Sequence, residues 1–325
     1  MSRVRIGFVG LGGMGQHHLK TVSQIPEAQV VAVCDVNAEL AQKLAAEHGV
    51  PSYHDHHDML SNEQMDALYV VIPPFAHTDA ELIAAGKGIH LFVEKPVALD
   101  MGKAREVSAA IRGAGVLSAV GYTLRYYAGP TVMRHYLADK TIAMIVATRW
   151  GGVPPSTWWG VMARSGGQLV EQTTHQVDLI RYMTGKEITH VYADYALRLY
   201  QGQAGWDIPD VYSLAMRLDD GTPVSLTTSC TMHNGGGDSA ITFLLDGGLV
   251  RAEVTNIVSA PEPNHELDGN YGEEVNIDRS FIDAIRLSDR SLIRCDYDDG
   301  MRTLAATLAA NESAVTGKAV DVDLS

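Results

Sequence analysis

The sequence is short of everything that would tie it to a disulfide scaffold, a bilayer or a nucleic acid. Only three cysteines, Cys34, Cys230 and Cys295, stand among 325 residues. They are odd in number and far apart, which excludes a disulfide framework and points to a reducing compartment. None has metal-ligand spacing to another. No apolar run is long enough to span a bilayer. The first apolar run begins at Val4, which leaves no room for a signal peptide, so a cytoplasmic location is expected. Basic charge is scarce: 25 Lys and Arg against 39 Asp and Glu give a formal charge of −14, with no block of one sign. That argues against nucleic acid or an anionic membrane as partner. Internal repeats and low-complexity segments are absent too. What remains is the composition of an ordinary globular chain, long enough for two domains with buried cores.

The stretch from Val4 to Asp35 is the most informative. An apolar run, Val4 to Val9, leads into Gly10-Leu11-Gly12-Gly13-Met14-Gly15; a helical stretch, Gln16 to Ile25, breaks at Pro26; and Val30 to Asp35 is apolar again until its final acid. Strand, glycine turn, helix and strand in this order make G-x-G-x-x-G meaningful. Gly10 permits the tight turn, Gly12 lets a pyrophosphate approach the backbone, and Gly15 lets helix and strand pack closely. The helix N-terminus offers N–H groups and a positive dipole end to phosphates. Asp35, twenty residues past Gly15, stands where a carboxylate accepts ribose hydroxyls.

Beyond Asp35 the alternation continues. Helices are expected over Ala38 to His48, Ala76 to Gly86 and Leu99 to Arg112, the last capped by Asp100, and strands over Val50 to Tyr53, Ala67 to Ile72, Ile89 to Val93 and Val116 to Val120. Near-continuous apolar strands between helices predict a doubly wound parallel sheet covered on both faces, an α/β Rossmann-type domain over residues 1–122. Residues 123–325 read as an α+β domain with an open, mainly antiparallel sheet. Its strands are expected over Thr141 to Trp150, His190 to Tyr200, Val211 to Leu218, Val224 to Met232, Ala240 to Leu245 and Leu249 to Val254. Asp219-Asp220-Gly221 and Asp246-Gly247-Gly248 supply hairpin turns. One helix, Leu169 to Thr184, interrupts the strands. Pro261 to Gly272 is polar and irregular, and Val275 to Leu287 and Met301 to Thr316 are expected as closing helices.

Several constellations could carry chemistry. Lys95 follows an apolar strand directly, at the carboxyl edge of the sheet, where ligands bind. A lysine there can donate to a substrate oxygen, and Pro96 restricts its backbone; an exposed Glu94–Lys95 pair at a strand end would read the same way. Glu171 and His175, four apart on the predicted helix, share a face with Asp178 near. A carboxylate beside an imidazole suits removal of a hydroxyl proton as hydride leaves the same carbon, although an ordinary polar helix face has the same pattern. Arg125, Tyr126 and Tyr127 past the crossover, and Trp158 and Trp159 in an irregular stretch, suit a polyol or serve as packing. His54-Asp55-His56-His57-Asp58 reads as a solvated turn with a helix N-cap at Asp55, and no metal is expected.

Taken together, Gly10 to Gly15, Glu94-Lys95-Pro96, and Gly166-Gly167 followed by His175 and Asp178 resemble the glucose–fructose oxidoreductase and inositol dehydrogenase family in order and spacing. The resemblance covers the whole chain, including Asp299-Gly300-Met301-Arg302 at the start of a final helix. It implies a Rossmann domain, a second domain with an open antiparallel sheet, NAD(P), and a sugar, cyclitol or related substrate. Lys95 corresponds to the family's catalytic lysine and His175 to its catalytic histidine. Glu171 stands where many members have aspartate, and Thr123 where many carry a side-chain amide. The cofactor set becomes Gly10, Leu11, Gly12, Gly13, Met14, Gly15, Asp35, Pro73, His77, Glu94 and Lys95. The substrate set becomes Lys95, Arg125, Trp158, Trp159, Glu171 and His175.

The expectation is therefore an NAD-dependent oxidoreductase acting on a secondary alcohol or the corresponding ketone, with an active site in the crevice between domains. Asp35 favours NAD over NADP, because a 2′-phosphate would meet its carboxylate and Val36-Asn37 offer no arginine. A glycosidase using transient oxidation by NAD, and a non-catalytic NAD(P)-binding sensor, are the alternatives. An open sheet face predicts a homodimer or homotetramer through the second domain, with Val224, Leu226, Ile241 and Phe243 among candidate contributors.

Overall fold

A computed structural model describes residues 3–253, 257–259 and 274–325. The chain divides into two compact units, Met1–Gly121 with Val275–Gly300, and Tyr122–Glu274 with Met301–Ser325.

In the first unit β1 (Val4–Val9), α1 (Gly13–Ser23), β2 (Ala28–Cys34), α2 (Ala38–His48), β3 (Ser52–Tyr53), α3 (His56–Asn62), β4 (Ala67–Val70), α4 (Ala80–Gly86), β5 (His90–Val93), α5 (Met101–Ala114) and β6 (Ser118–Val120) follow one another. The six strands pair in parallel in the order β3-β2-β1-β4-β5-β6. Strand order reverses between β1 and β4, so the carboxyl ends of β1, β4 and β5 lie side by side at the switch point of a doubly wound sheet. Helix ends follow local chemistry. The Asn37 side chain accepts the Leu40 N–H, the Asp100 side chain accepts the Lys103 N–H at 2.9 Å, and left-handed Gly49 closes α2. The helix expected from Ala76 starts only at Ala80, because Pro74–Ala76 forms a separate 3₁₀ turn.

The second unit holds α6 (Ala128–Leu137), β7 (Ile142–Trp150), α7 (Met162–Ser165), α8 (Thr174–Thr184), β8 (Ile188–Ala196), β9 (Val211–Leu218), β10 (Pro223–Ser229), β11 (Asp238–Leu245), β12 (Gly248–Glu253) and β13 (Ile257–Ser259). After α9 (Ile277–Leu287), which belongs to the first unit, come α10 (Tyr297–Thr316) and β14 (Val320–Asp321). Eight strands form one sheet, β13-β12-β11-β7-β10-β9-β8-β14, antiparallel throughout except for the parallel pair β7–β10. Gly221 and Gly247, both at positive φ, sit in the β9–β10 and β11–β12 turns. Helix α6 was not expected from the sequence. Pro261 to Gly272 and Val254 lie outside the described residues.

Three expectations are corrected. Residues 275–300 cluster with the first unit, although 123–325 were read as one domain. The cause is α9, whose Phe281 packs edge-on against the rings of Tyr69 and Phe92 and whose Asp278 reaches His18. The stretch Leu169 to Thr184 is not one regular helix: Leu169–Thr173 is a π turn and α8 begins at Thr174. Val224, Leu226, Ile241 and Phe243 are buried, on the sheet face they share with Ile145. The opposite face exposes Val146, Trp150, Tyr192 and Leu249. Cys34, Cys230 and Cys295 are buried free thiols, and among the described residues no helix is long and apolar enough to cross a membrane.

Candidate active site

The turn after β1 is shaped by what its glycines lack. Gly10 has φ +92°, and a Cβ there would lie 2.1 Å from the Val71 carbonyl oxygen; one on Gly15 would lie 2.2 Å from the Gly10 carbonyl. Both positions exclude any larger residue. Around Gly12 and Gly13, by contrast, a Cβ would meet nothing within 4 Å, so this backbone faces open space. Gly12 caps α1 without a side chain, which leaves the first N–H groups of the helix open to an anion. Asp35 Oδ2 accepts the Leu11 N–H at 2.7 Å and Oδ1 accepts the Asn37 N–H at 2.8 Å. Gly10, Gly12 and Asp35 line a cleft of about 440 Å3, together with Val36, His54 and Pro73. A bare phosphate-sized backbone, a helix N-terminus and a carboxylate at the end of β2 fit a dinucleotide.

Beside the cleft, His77 Nδ1 bonds to Glu81 Oε1, and both side chains are buried. Burial acts to raise the Glu81 carboxyl, yet the adjacent His77 outweighs it and holds Glu81 below the usual carboxylate range. His77 Nε2 and Glu81 Oε2 have no hydrogen-bond partner among the described residues. His56 and His57 both bond to Asp79, at 2.8 and 3.0 Å. Asp55 caps α3 through the His57 N–H, and Asp55, His56 and His57 bring ligand-type atoms within 4.8 Å of one another.

Lys95 stands two residues past β5, on the carboxyl edge that carries the glycine turn. The Lys95–Pro96 peptide is cis. The Lys95 backbone N–H donates to Glu94 Oε2 at 2.9 Å, and Glu94 itself is buried against Gly121, where a Cβ would lie 2.3 Å from Oε1.

In the second unit His175 opens α8, half-buried, with Tyr122 edge-on to its ring at 6.2 Å. The Tyr122 hydroxyl and Thr174 Oγ1 are 2.7 Å apart. Glu171 lies in the π turn, where the backbone is wider than in an α-helix. Its Oε2 accepts the Trp159 indole N–H at 2.6 Å. Trp159 is fully buried with Ile208 and Cys230, and Trp158 packs on that cluster. Arg125 is 2% exposed and bidentate on Asp178, at 2.9 and 2.7 Å, which ties the 3₁₀ turn Thr123–Tyr126 to α8.

The sequence reading missed two residues. Arg149, near the end of β7, lays its guanidinium over Gly151, where a Cβ would lie 2.0 Å from Nη1. Burial lowers its pKa and the field of Glu171 opposes that. Among the described residues no hydrogen-bond acceptor or ion-pair partner meets this guanidinium. The glycine pair directly after Arg149-Trp150 was the available signal. His18, on α1, is joined to Glu94 and Asp278, and nothing local in the sequence marks the connection.

A parallel sheet with this turn and an acid at the end of β2 defines a dinucleotide-binding domain, and the family matched by residues 4–122 makes this an oxidoreductase with NAD as cofactor. Residues 4–122 match the model of an oxidoreductase family with an NAD-binding Rossmann fold, and residues 140–251 match the GFO/IDH/MocA C-terminal domain. The chain belongs to the GFO/IDH/MocA oxidoreductase family. It is 27% identical to an inositol 2-dehydrogenase of Rhizobium meliloti strain 1021, over 98% of this chain and 99% of the relative. It is 31% identical to an NAD(+)-dependent scyllo-inositol 2-dehydrogenase of Bacillus subtilis, over 58% of this chain and 56% of the relative. In fold it is similar to the WlbA dehydrogenase of Bordetella pertussis, solved with NADH and UDP-GlcNAcA, with a TM-score of 0.87, 24% identity, and coverage of 99% of this chain and all of that one.

Proposed function

We propose that this protein oxidises a secondary alcohol of a sugar, cyclitol or related polyol, or reduces the corresponding ketone. The observation that carries the reading is the placement of Lys95 on the same sheet edge as the open glycine turn. The two inositol dehydrogenases named above support the substrate class. Bound NAD supplies the hydride acceptor. Gly10 to Gly15 receive the pyrophosphate, Asp35 the adenosine ribose, and Pro73, His77 and Glu94 line the cofactor beyond them. His175 takes the hydroxyl proton, Lys95 donates to the oxygen on which negative charge develops, and Glu171 keeps His175 oriented. Trp158 borders the polyol, buried Trp159 acts through Glu171, and Arg125 holds α8 through Asp178.

The test is incubation with NAD and a panel of sugars and cyclitols, following absorbance of the reduced nicotinamide. One or more polyols should give sustained NADH. His175→Ala and Lys95→Ala should each then lower turnover by roughly two to four powers of ten, the worth of a positioned acid–base group, with NAD affinity nearly intact. Hydrolysis of a glycoside without accumulation of NADH would replace the reading by an NAD-dependent glycosidase. Binding of NAD without turnover of any kind would replace it by a sensor.

A further inference from the structure

His18 lies three residues past Gly15, on the helix whose N-terminus faces the open turn. Its ring is 1% exposed and packs against Phe92 at 4.8 Å and Tyr69 at 5.8 Å. Nδ1 is 2.7 Å from Asp278 Oδ1 on α9, and Nε2 is 3.1 Å from Glu94 Oε1 after β5. Asp278 and Glu94 are buried as well. Ionised carboxylates only accept hydrogen bonds, and a neutral imidazole has one N–H. Two carboxylate partners are therefore served together by a doubly protonated ring. The second Glu94 oxygen accepts the Lys95 backbone N–H, and the missing side chain at Gly121 leaves the carboxylate its place. A continuous chain of contacts thus runs from α9 through Asp278, His18 and Glu94 to the backbone of Lys95.

We propose that His18 and Asp278 are positioning residues for Lys95: they clamp Glu94, and Glu94 fixes the backbone from which the Lys95 ammonium is presented to the reacting oxygen. The proposal rests on the reading of Lys95 given above and is independent of which polyol is bound. It also gives the return of residues 275–300 to the first unit a role in the chemistry. None of the three clamp residues needs to touch the substrate. If the ion-paired triad merely stapled α9 to the sheet, its loss would cost stability, and the lysine would not report it.

The experiment uses the full-length protein with its lysines reductively 13C-dimethylated and observed by 1H–13C correlation, the Lys95 signal being assigned by its loss in Lys95→Arg. His18→Gln and the milder Asp278→Asn should shift or broaden the Lys95 signal, while those of Lys43 and Lys140, surface lysines remote in sequence from the clamp, stay in place. A Lys95 signal unmoved in both variants, with far-UV circular dichroism showing them folded, overturns the proposal. Kinetics supply a second arm. His18→Gln should lower kcat about tenfold with NAD affinity within twofold of normal, and should lower it no further when Lys95 is already Ala. A further tenfold loss in the Lys95→Ala background would also overturn the proposal, since His18 would then be acting by another route. Normal turnover in Lys95→Ala itself would remove the functional reading, and this positioning role with it, whatever the spectra show.

Discussion

The Asp35 carboxylate accepts the Leu11 backbone N–H at 2.7 Å, so the end of β2 holds the glycine turn of β1 in place even before a ribose arrives. One side chain therefore shapes the turn, and under the proposed function the same carboxylate receives the adenosine ribose. Asp35→Ala should weaken NAD binding by roughly 3–6 kcal/mol, the worth of two charged hydrogen bonds to ribose hydroxyls. Val36 beside it is 94% exposed, so an arginine there has room to meet a 2′-phosphate. Asp35→Ser with Val36→Arg should move preference toward NADP. Calorimetric titration with both cofactors decides the matter; tighter binding of NADP by the unmodified protein would contradict the role given to Asp35.

The Trp159–Glu171 bond yields a second expectation. Trp159 is buried and its indole N–H meets the carboxylate. Trp159→Phe keeps most of the packing and removes the donor. A hydrogen bond to a charged group is worth about 1.5–3 kcal/mol, so if Glu171 orients His175, turnover should fall by at least about tenfold. NAD affinity should not change. Glu171→Gln keeps an oxygen acceptor for the indole and should cost less than His175→Ala. Steady-state kinetics of the three variants on one polyol, beside their melting temperatures, would separate lost orientation from lost stability. Equal turnover in Trp159→Phe and the unmodified enzyme would remove Trp159 from the site.

The exposed sheet face yields a third. Val146, Trp150, Tyr192 and Leu249 are exposed on one face of the sheet, on β7, β8 and β12. Apolar side chains exposed on one sheet face mark a candidate interaction surface. A second copy of the chain is the expected cover, so light scattering at micromolar concentration should give a dimer or tetramer mass. Val146→Asp with Tyr192→Asp should lower that mass without unfolding the protein. A monomeric mass for the unmodified chain would dismiss the idea.

Much of the fold was legible because local chemistry and tertiary context agree. Asn37, Gly49 and Asp100 end helices where sequence rules place them, and β4 is apolar because it is buried on both faces. The glycine turn was legible for the same reason, its residues being adjacent in sequence. What could not be read are the relations made at long range. Asp278 bonds to His18 across 260 positions, and nothing near Asp278 distinguishes it from a surface acid. The face occupied by Val224 and Phe243 depends on strand register, which a one-residue slip inverts. The π turn at Leu169–Thr173 has no period of its own in the sequence, so Glu171 was read on an α-helical face. Arg125 looked like a ligand-facing cation until Asp178, 53 residues on, closed on it.

The His18 clamp should leave a mark on stability against pH. Burial opposes a charge on this ring, but hydrogen bonds and attraction from Asp278 and Glu94 outweigh it and push its pKa up to about 10 from an ordinary value of 6.5. A pKa raised in the folded state means that the folded protein binds the proton more tightly than the unfolded chain. The stabilisation is then fully present below about pH 6.5 and is lost as pH rises toward 10, with a slope of at most about 1.4 kcal/mol per pH unit for one proton. Urea unfolding at pH 6.5, 8 and 9.5 should show the midpoint falling across this window. In His18→Gln the two buried carboxylates lose their shared counter-charge, and the proton whose linkage produces the slope is gone. Its profile should therefore be flatter than that of the unmodified protein between pH 8 and 9.5. Parallel profiles for the two proteins over that interval would show that the ring does not carry the charge assigned to it.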